Sequence, residues 1–215
     1  MREIYRRLRW GRPIVIVSGL PRSGTSMMMR MLEAGGMPLM TDGVRAPDES
    51  NPRGYYELAA VKDLATSADR RWLSRARGKA LKVVSPLVEH LPPTCAYQVI
   101  FMLRDLDEVI ASQNRMLALA GEPADASANL REHYQQHVRR VLGLIDRRPE
   151  FVALQVDYAD VLRRPLEEAR RVQAFLKRPL DVPAMAAAVD EELYRNRKSR
   201  ATGAGGEKRR LISDD

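Results

Sequence analysis

One cysteine, Cys95, is all that the sequence contains, so no disulfide can form within the chain. A lone cysteine is typical of proteins from a reducing compartment, and it is more often a small buried residue than a nucleophile. The apolar run 13–20 is too short for the core of a signal peptide or for a membrane span. We therefore expect a cytoplasmic protein with no integral membrane segment.

Aromatic residues make up only 6% of the chain, and they are not interleaved with its basic residues. Lysine and arginine outnumber aspartate and glutamate by 36 to 28, which gives a formal net charge of +8 and favours a phosphorylated or polyanionic partner. A nucleic-acid-binding module usually places aromatic stacking residues beside its basic ones. We expect no nucleic-acid partner, and a salt-dependent gel shift would contradict this expectation.

Short β-branched runs alternate with amphipathic segments, and the 215 residues suit one core. Buried strands are predicted at 13–18, 79–85, 97–103 and 151–156. Helices are predicted at 25–35, 57–72, 105–120, 127–148, 165–176 and 183–194. This alternation predicts an α/β fold in a single domain, P-loop-like, with a mainly parallel sheet flanked by helices. The expected organisation is a basic N-terminal arm (1–12), the α/β domain (13–194) and a basic, mobile C-terminal tail (195–215).

The first predicted strand is followed by a glycine-bounded loop, Gly19-Leu-Pro-Arg-Ser-Gly24, and then by a helix. Backbone N–H groups and the helix dipole point at one spot there, so the loop predicts a phosphate site. Thr25 and Ser26 can add hydroxyl donors in the first turn. A nucleotide-hydrolysing P-loop has its lysine where this chain has Thr25, and the loop cation is instead Arg22. Turnover of ATP or GTP is therefore not expected.

A second candidate phosphate site follows the third predicted strand. Arg104 ends this strand, and Ser112 lies about two turns into the next helix at ~3.6 residues per turn. Ligands of α/β sheets bind at the carboxyl ends of strands, so the two side chains can converge on one phosphate. Alone, Arg104 and Asp105 would suit an ion pair at the end of a strand. The preceding phosphate loop makes us favour the phosphate site.

The two motifs together resemble those of the sulfotransferases that use 3′-phosphoadenosine 5′-phosphosulfate (PAPS). The segment 20–26 resembles that family's 5′-phosphosulfate loop, and the segment 99–112 resembles its 3′-phosphate motif. The resemblance implies a bacterial, P-loop-like sulfotransferase that moves a sulfuryl group from PAPS to a hydroxyl or amine acceptor, without a metal. The donor contacts that it implies are Pro21, Arg22, Ser23, Gly24, Thr25, Ser26, Arg104 and Ser112.

Two looser likenesses extend this resemblance over most of the chain. Tyr158 stands in a segment similar to the family's Tyr-Glu-Asp-Leu, which implies that its ring lies by the adenine, although packing at the edge of the core suits it equally. Arg197, with Arg195 and Lys198, resembles a basic C-terminal element that closes over the 3′-phosphate. A solvated basic tail is the alternative for these residues.

The resemblance also implies a catalytic role for Arg22, which takes the place of the family's loop lysine or arginine. It would stabilise charge on the bridging oxygen as the sulfuryl group leaves. Because the pKa of arginine is above ~12, Arg22 cannot also protonate that oxygen.

A hydroxyl acceptor needs a general base, and the sequence offers two candidates. Glu57 follows the loop 51–56, which resembles a substrate-side segment of bacterial and tyrosylprotein members in which a nearby glutamate takes the acceptor proton. Its alternative role is to stabilise a helix N-terminus. His90 lies in a segment similar to the Lys-Thr-His-Leu-Pro of cytosolic sulfotransferases, but it falls beyond the predicted strand end. Lys82, in the second strand, could reach the site or cap a sheet edge.

Other functions suit the sequence less well. A P-loop nucleotide or small-molecule kinase needs the missing loop lysine, and a nucleotide-binding relative without transfer activity is a further alternative. His133 and His137 are spaced like zinc ligands, but no third ligand is apparent, so we expect an exposed polar helix face and no metal. The acceptor is expected to be a small molecule, glycan or lipid whose pocket is shaped by 37–54 and 121–127. The sequence does not indicate the oligomeric state.

Overall fold

The computed structural model describes residues 9–42, 56–123 and 129–189. Four strands lie in these ranges: β1 Ile14–Gly19, β2 Ala80–Lys82, β3 Tyr97–Leu103 and β4 Phe151–Asp157. The α-helices with both ends in these ranges are α1 Thr25–Ala34, α2 Ala59–Lys62, α3 Leu106–Leu119, α4 Leu130–Arg147, α5 Tyr158–Arg163, α6 Pro165–Leu176 and α7 Val182–Ala187. Short 3₁₀ helices span Asp63–Ala65, Arg71–Ala76 and Ser85–His90.

The strands form one parallel sheet in the order β2-β1-β3-β4. β1 is buried along its whole length, and its alternate side chains enter two different apolar clusters. Val15 and Val17 pack with α1, α6 and α7 on one face, whereas Ile14 and Ile16 pack with α4 on the other. A parallel strand covered on both faces needs apolar residues at every position, which explains the unbroken β-branched run. The predicted α/β fold is confirmed.

Most predicted elements are present, and the differences have local causes. β3 and α6 have the predicted bounds. β2 is shorter than predicted because a 3₁₀ helix with Pro86 in its first turn begins at Ser85. Asp157 accepts hydrogen bonds from the backbone N–H groups of Ala159 and Asp160 and so starts α5, which the sequence did not predict.

The prediction of one helix over 57–72 is wrong. Only α2 and two 3₁₀ turns form there, because polar side chains of the connecting segment bind the backbone. The N–H of Asp69 donates to Ser67 Oγ at 3.1 Å, and the N–H of Arg71 donates to Asp69 Oδ1 at 2.9 Å. Such bonds replace the helical ladder.

Several predictions lie outside the described residues, among them residues 1–8 of the predicted arm 1–12, most of the loop 51–56, Arg197 and the tail 195–215. Among the residues that the structure describes, no helix combines the length and the apolar character that crossing a bilayer requires. The same residues contain no group of three or more His, Cys, Asp or Glu side chains placed to hold a metal ion.

Candidate functional site

Several of the predicted site residues lie at the carboxyl edge of the sheet. In a parallel sheet all strands end at the same edge, where α/β proteins bind ligands. β1 ends in the glycine-bounded loop, which we call the phosphate loop (19–24). Lys82 ends β2, Arg104 follows β3 directly, and Tyr158 follows β4 directly.

The phosphate loop leads into α1 through a left-handed glycine. Gly24 has φ +97° and is the N-cap residue of α1, so no side chain caps the first N–H groups of this helix. Arg22 also has a positive φ, +69°, which is uncommon for a residue with a Cβ and tends to mark functional loops. These uncapped N–H groups and the helix dipole suit an anion.

The hydroxyl of Ser23 fits a bound phosphate. Its Oγ is buried and has no hydrogen-bond partner in the described part of the chain. A buried hydroxyl without a partner is costly, by about 1–3 kcal/mol, so native proteins leave few of them. An oxyanion in the phosphate loop would supply the missing acceptor.

Arg104 is held firmly in place by three contacts. Its Nε donates to Glu108 Oε2 at 3.0 Å, one helical turn further on, and its Nη1 donates to the carbonyl oxygen of Arg22 at 3.0 Å. Its guanidinium carbon also lies 4.5 Å from the centre of the Tyr158 ring. The Arg104 and Glu108 side chains are 8% and 10% exposed, so this ion pair is well shielded from solvent.

Arg22 joins the two phosphate motifs. Its Nε donates to Ser112 Oγ at 3.0 Å, across 90 residues of sequence. Ser112 is buried on α3, on the same side as the phosphate loop. Nearby, Lys82 Nζ donates to Ser26 Oγ at 3.2 Å, so Lys82 reaches the site. The two sequence motifs therefore form one continuous site.

Tyr158 packs directly on the phosphate loop. A Cβ at Gly24 would collide with its ring, which explains why this position has glycine. The ring is 6% exposed and belongs to the apolar cluster around α1, and burial raises the pKa of its hydroxyl. Tyr158 therefore packs at the core, which was one of the two roles expected from the sequence, and its ring also lies against Arg104.

The two predicted base candidates differ in their surroundings. The Glu57 carboxylate lies 3.5 Å from Lys62 Nζ, and the Glu57 carbonyl accepts from Thr41 Oγ1 at 2.8 Å. Asp42, rather than Glu57, binds the N–H of Ala59 at the start of α2. His90 is exposed at the end of a 3₁₀ helix, with Nε2 3.9 Å from Glu89 Oε1.

The structure adds a histidine that the sequence did not single out for catalysis. His137 Nε2 lies 2.9 Å from Oγ of Ser85, which is fully buried just beyond the end of β2. Burial first, and then Arg140, lower the pKa of His137, which favours neutral imidazole at pH 7.

The expected exposed face is thus confirmed for His133 and wrong for His137, which is half-buried. The signal was available in the sequence, because His137 continues the stripe of Val141 and Ile145 at four-residue spacing.

The fold and the phosphate loop suit an α/β protein that binds a phosphate group, and comparison with known proteins gives the family. A family model described as "Sulfotransferase domain" matches residues 12–203, so the chain belongs to the sulfotransferase domain family and transfers sulfuryl groups. The resemblance seen in the two sequence motifs is confirmed. A comparison with the sequences of curated proteins found no significant match.

Solved sulfotransferase structures share the fold at low sequence identity. Mouse sulfotransferase SULT7A1, complexed with PAP, is 15% identical, with 94% of this chain and 72% of that chain covered and a TM-score of 0.54. Sulfotransferase STF1 from Mycobacterium tuberculosis is 16% identical, with 82% and 70% covered and a TM-score of 0.51.

Proposed function

We propose that this sulfotransferase takes its sulfuryl group from PAPS and transfers it to a hydroxyl acceptor. The observation that carries the proposal is the link between the phosphate loop and the α3 motif through Arg104, Arg22 and Ser112. A donor with phosphates at both its 3′ and 5′ positions needs two neighbouring phosphate subsites. The relative SULT7A1 is complexed with PAP, the bisphosphate that remains after transfer.

The donor contacts follow from this arrangement. The backbone N–H groups and the hydroxyls of residues 23–26 hold the 5′-phosphosulfate at the uncapped N-terminus of α1. Pro21 precedes them in the phosphate loop and is also a donor contact. Ser112 and Arg104 hold the 3′-phosphate, and Tyr158 lies by the adenine. Arg197 remains a predicted donor contact.

Arg22 stabilises the leaving group in this mechanism. As the bond between sulfur and the bridging oxygen breaks, negative charge grows on that oxygen, and a guanidinium beside it lowers the barrier. Arg22 keeps its proton throughout, because the pKa of arginine stays above ~12. Lys82, whose Nζ donates to Ser26 Oγ, adds a second cation at the start of α1.

For the acceptor proton, His137 is our first candidate and Glu57 the second. Arg140 Nη2 can only donate, so Nδ1 accepts from it at 3.5 Å and Nε2 carries the proton that goes to Ser85 Oγ. Nδ1 is then the basic atom of His137, and the acceptor hydroxyl replaces Arg140 as its hydrogen-bond donor. A neutral, half-buried imidazole suits a general base. The carboxylate of Glu57 already lies beside Lys62, and His90 is exposed to solvent.

Calorimetric titration with 3′-phosphoadenosine 5′-phosphate in EDTA tests the donor site. We expect micromolar binding or better, and an affinity loss of roughly 30-fold or more in Arg104→Ala, as when one partner of a buried charged pair is removed. Arg104→Lys checks that the loss is not merely misfolding, because it keeps a charge beside Glu108. Arg139→Ala, an exposed position on α4, is the matched control. Binding of ATP with Mg²⁺ but not of the bisphosphate would favour the kinase alternative instead.

The pH dependence of PAPS-dependent transfer to phenols, sugars and sterols tests the base. With His137 as base, kcat/KM falls as the pH drops through the pKa of the imidazole. His137→Gln should remove this acidic limb of the pH profile, whereas His90→Gln should keep it. Retention of the limb in His137→Gln and its loss in Glu57→Gln would assign the base to Glu57.

A further inference from the structure

A group of arginines lies at the opposite end of the sheet from the donor site. Three separate segments supply them: Arg12 precedes β1, Arg77 precedes β2, and Arg178 follows α6. We call these three residues the amino-edge cluster. Along β1 it lies about 20 Å from the phosphate loop, at ~3.3 Å per residue.

Backbone groups, rather than carboxylates, hold the cluster together. Arg178 Nη1 donates to the carbonyl oxygen of Gly78 at 2.7 Å, and Arg77 Nη1 donates to the carbonyl oxygen of Trp10. Arg12 covers the other side of Gly78, where an added Cβ would lie 2.6 Å from its Nε. Two of the guanidinium groups therefore pack against the same glycine.

The cluster concentrates positive charge without an acidic counterion from the described part of the chain. Within the ranges that the structure describes, none of the three arginines forms an ion pair with an aspartate or glutamate. Arg12 and Arg178 both pack against Gly78, so their like charges lie close together and repel. Burial, and next the charge of Arg12, lower the pKa of Arg178. An anion bound between them would relieve this repulsion.

Guanidinium groups have donors to spare for such an anion. Each carries five N–H donors in a planar fork, and a single carbonyl oxygen occupies few of them. The fork matches two oxygens of a phosphate or sulfate group, and several forks can hold one such group. An oxyanion with two negative charges suits this surface best.

The surroundings argue against single-stranded nucleic acid as the ligand. The Trp10 ring is buried, and its Nε1 donates to the carbonyl oxygen of Pro93 at 2.8 Å, so it offers no face for a base to stack on. Among the described residues, the large apolar side chains that are exposed lie on α3, β4 and α6 rather than in this cluster: Leu119, Val152 and Leu166.

We propose that the amino-edge cluster is a second oxyanion site, separate from the donor site, which binds a dianionic phosphate or sulfate group. The group could come from a free ion or from a phospholipid headgroup, and the two sources share this chemistry. The site does not depend on the proposed donor or acceptor.

Fluorescence of Trp10 gives a readout at the cluster itself. The chain has two tryptophans, so Trp72→Phe leaves Trp10 as the single indole, with its carbonyl bonded to Arg77. In this background, phosphate and pyrophosphate are titrated against chloride at constant ionic strength. We expect a saturable change in emission, with tighter binding of pyrophosphate, and at least tenfold weaker binding in the added double variant Arg12→Gln/Arg178→Gln.

Controls separate this site from the donor site. The double variant Arg163→Gln/Arg170→Gln removes the same charge from exposed positions and should leave the titration unchanged. Arg104→Ala should also keep the Trp10 response, whereas Arg12→Gln/Arg178→Gln should keep donor binding. An identical titration in the cluster variant and in its parent, or no saturable response, would overturn the proposal.

Sedimentation with vesicles distinguishes the two sources of the anion. Phosphatidylcholine vesicles are compared with vesicles that also contain phosphatidic acid, whose phosphomonoester can carry two negative charges, at low and high salt. Binding only to the anionic vesicles, lost in Arg12→Gln/Arg178→Gln, supports a headgroup. Saturable binding of phosphate without vesicle binding supports a free anion.

Discussion

The two ends of the parallel sheet both carry arginines, but they hold them in different ways. At the carboxyl edge, Arg104 is fixed by a buried carboxylate and an aromatic ring, and Arg22 by a serine hydroxyl. At the amino edge, Arg77 and Arg178 bind backbone carbonyl oxygens. The Glu108 carboxylate compensates the charge of Arg104, whereas a hydroxyl or a carbonyl oxygen positions a guanidinium without neutralising it.

This difference separates two tasks. A donor in the proposed site must be held within a fraction of an ångström, and the shielded Arg104–Glu108 pair suits such precision. A surface that only attracts an anion needs charge more than geometry. Mutations at the two edges should therefore differ in size and in their response to salt.

Removal of the buried carboxylate should have the largest effect. Glu108→Ala leaves Arg104 buried without its charged partner, and breaking such a pair costs about 3–5 kcal/mol of folding stability. Urea denaturation measures this loss, with the exposed Glu167→Ala as control. A change below about 1 kcal/mol would mean that solvent already screens the pair.

Substitution of Gly24 at the carboxyl edge and of Gly78 at the amino edge by alanine should lower stability by different amounts. Both Gly24 and Gly78 have positive φ, so each substitution introduces backbone strain of about 1 kcal/mol or more. At Gly24 the added Cβ also meets the buried ring of Tyr158, whereas at Gly78 it meets the flexible side chain of Arg12.

We expect Gly24→Ala to cost about 3 kcal/mol and Gly78→Ala about 1 kcal/mol, since overpacking adds to the strain only at the first. Thermal unfolding of the two variants checks the order. Equal losses would show that the Tyr158 ring can move away from the loop.

Acidification should destabilise the protein through His137. The pKa of His137 in the folded state lies below the ordinary value of 6.5, so as pH falls through 6.5 the unfolded chain takes up the proton first. Stability therefore falls with falling pH between 6.5 and the folded-state pKa, and this contribution is constant above that window.

The free energy of unfolding, measured between pH 5 and pH 8 (~6.5 being the ordinary imidazole pKa), checks this prediction. In His137→Gln the free energy of unfolding should depend less on pH below 6.5. The exposed control His133→Gln should keep the pH dependence of the parent. The same pH dependence in both variants would mean that groups other than His137 cause it.

The smallest effect is expected at the amino edge. Arg178→Gln removes one of two repelling charges, so at low salt it should leave thermal stability unchanged or raise it slightly, and the gain should vanish as salt is added. Melting curves at low and high ionic strength test this. A clear loss at both salt concentrations would show that the bond to the Gly78 carbonyl outweighs the repulsion.

The sequence predicted those parts of the molecule that short segments determine. The loop 19–24 and the segment 99–112 each combine a strand end with a helix start, so their partners are close in sequence. The helix predicted over 57–72 failed because Ser67 and Asp69 bind the local backbone, a competition that periodicity does not register.

Contacts between distant segments were beyond such prediction. The hydrogen bond between Ser85 and His137 spans 52 residues, and the amino-edge cluster draws on three segments. Their proximity depends on strand order and on helix placement, which local patterns leave undetermined. The stripe of His137, Val141 and Ile145 placed the histidine on a buried face but could not name Ser85 as its partner.

The all-parallel sheet also has a consequence for synthesis on the ribosome. Ile14 of β1 pairs with Tyr97, and Val15 with Ala80, so β1 has no neighbouring strand until the long segment that separates it from β2 and β3 has emerged. At about 5–20 residues per second, this apolar strand waits on the order of ten seconds for its partners. Parallel pairing is slow for the same topological reason. During that time the nascent chain exposes an unpaired apolar strand, to which a holding chaperone can bind.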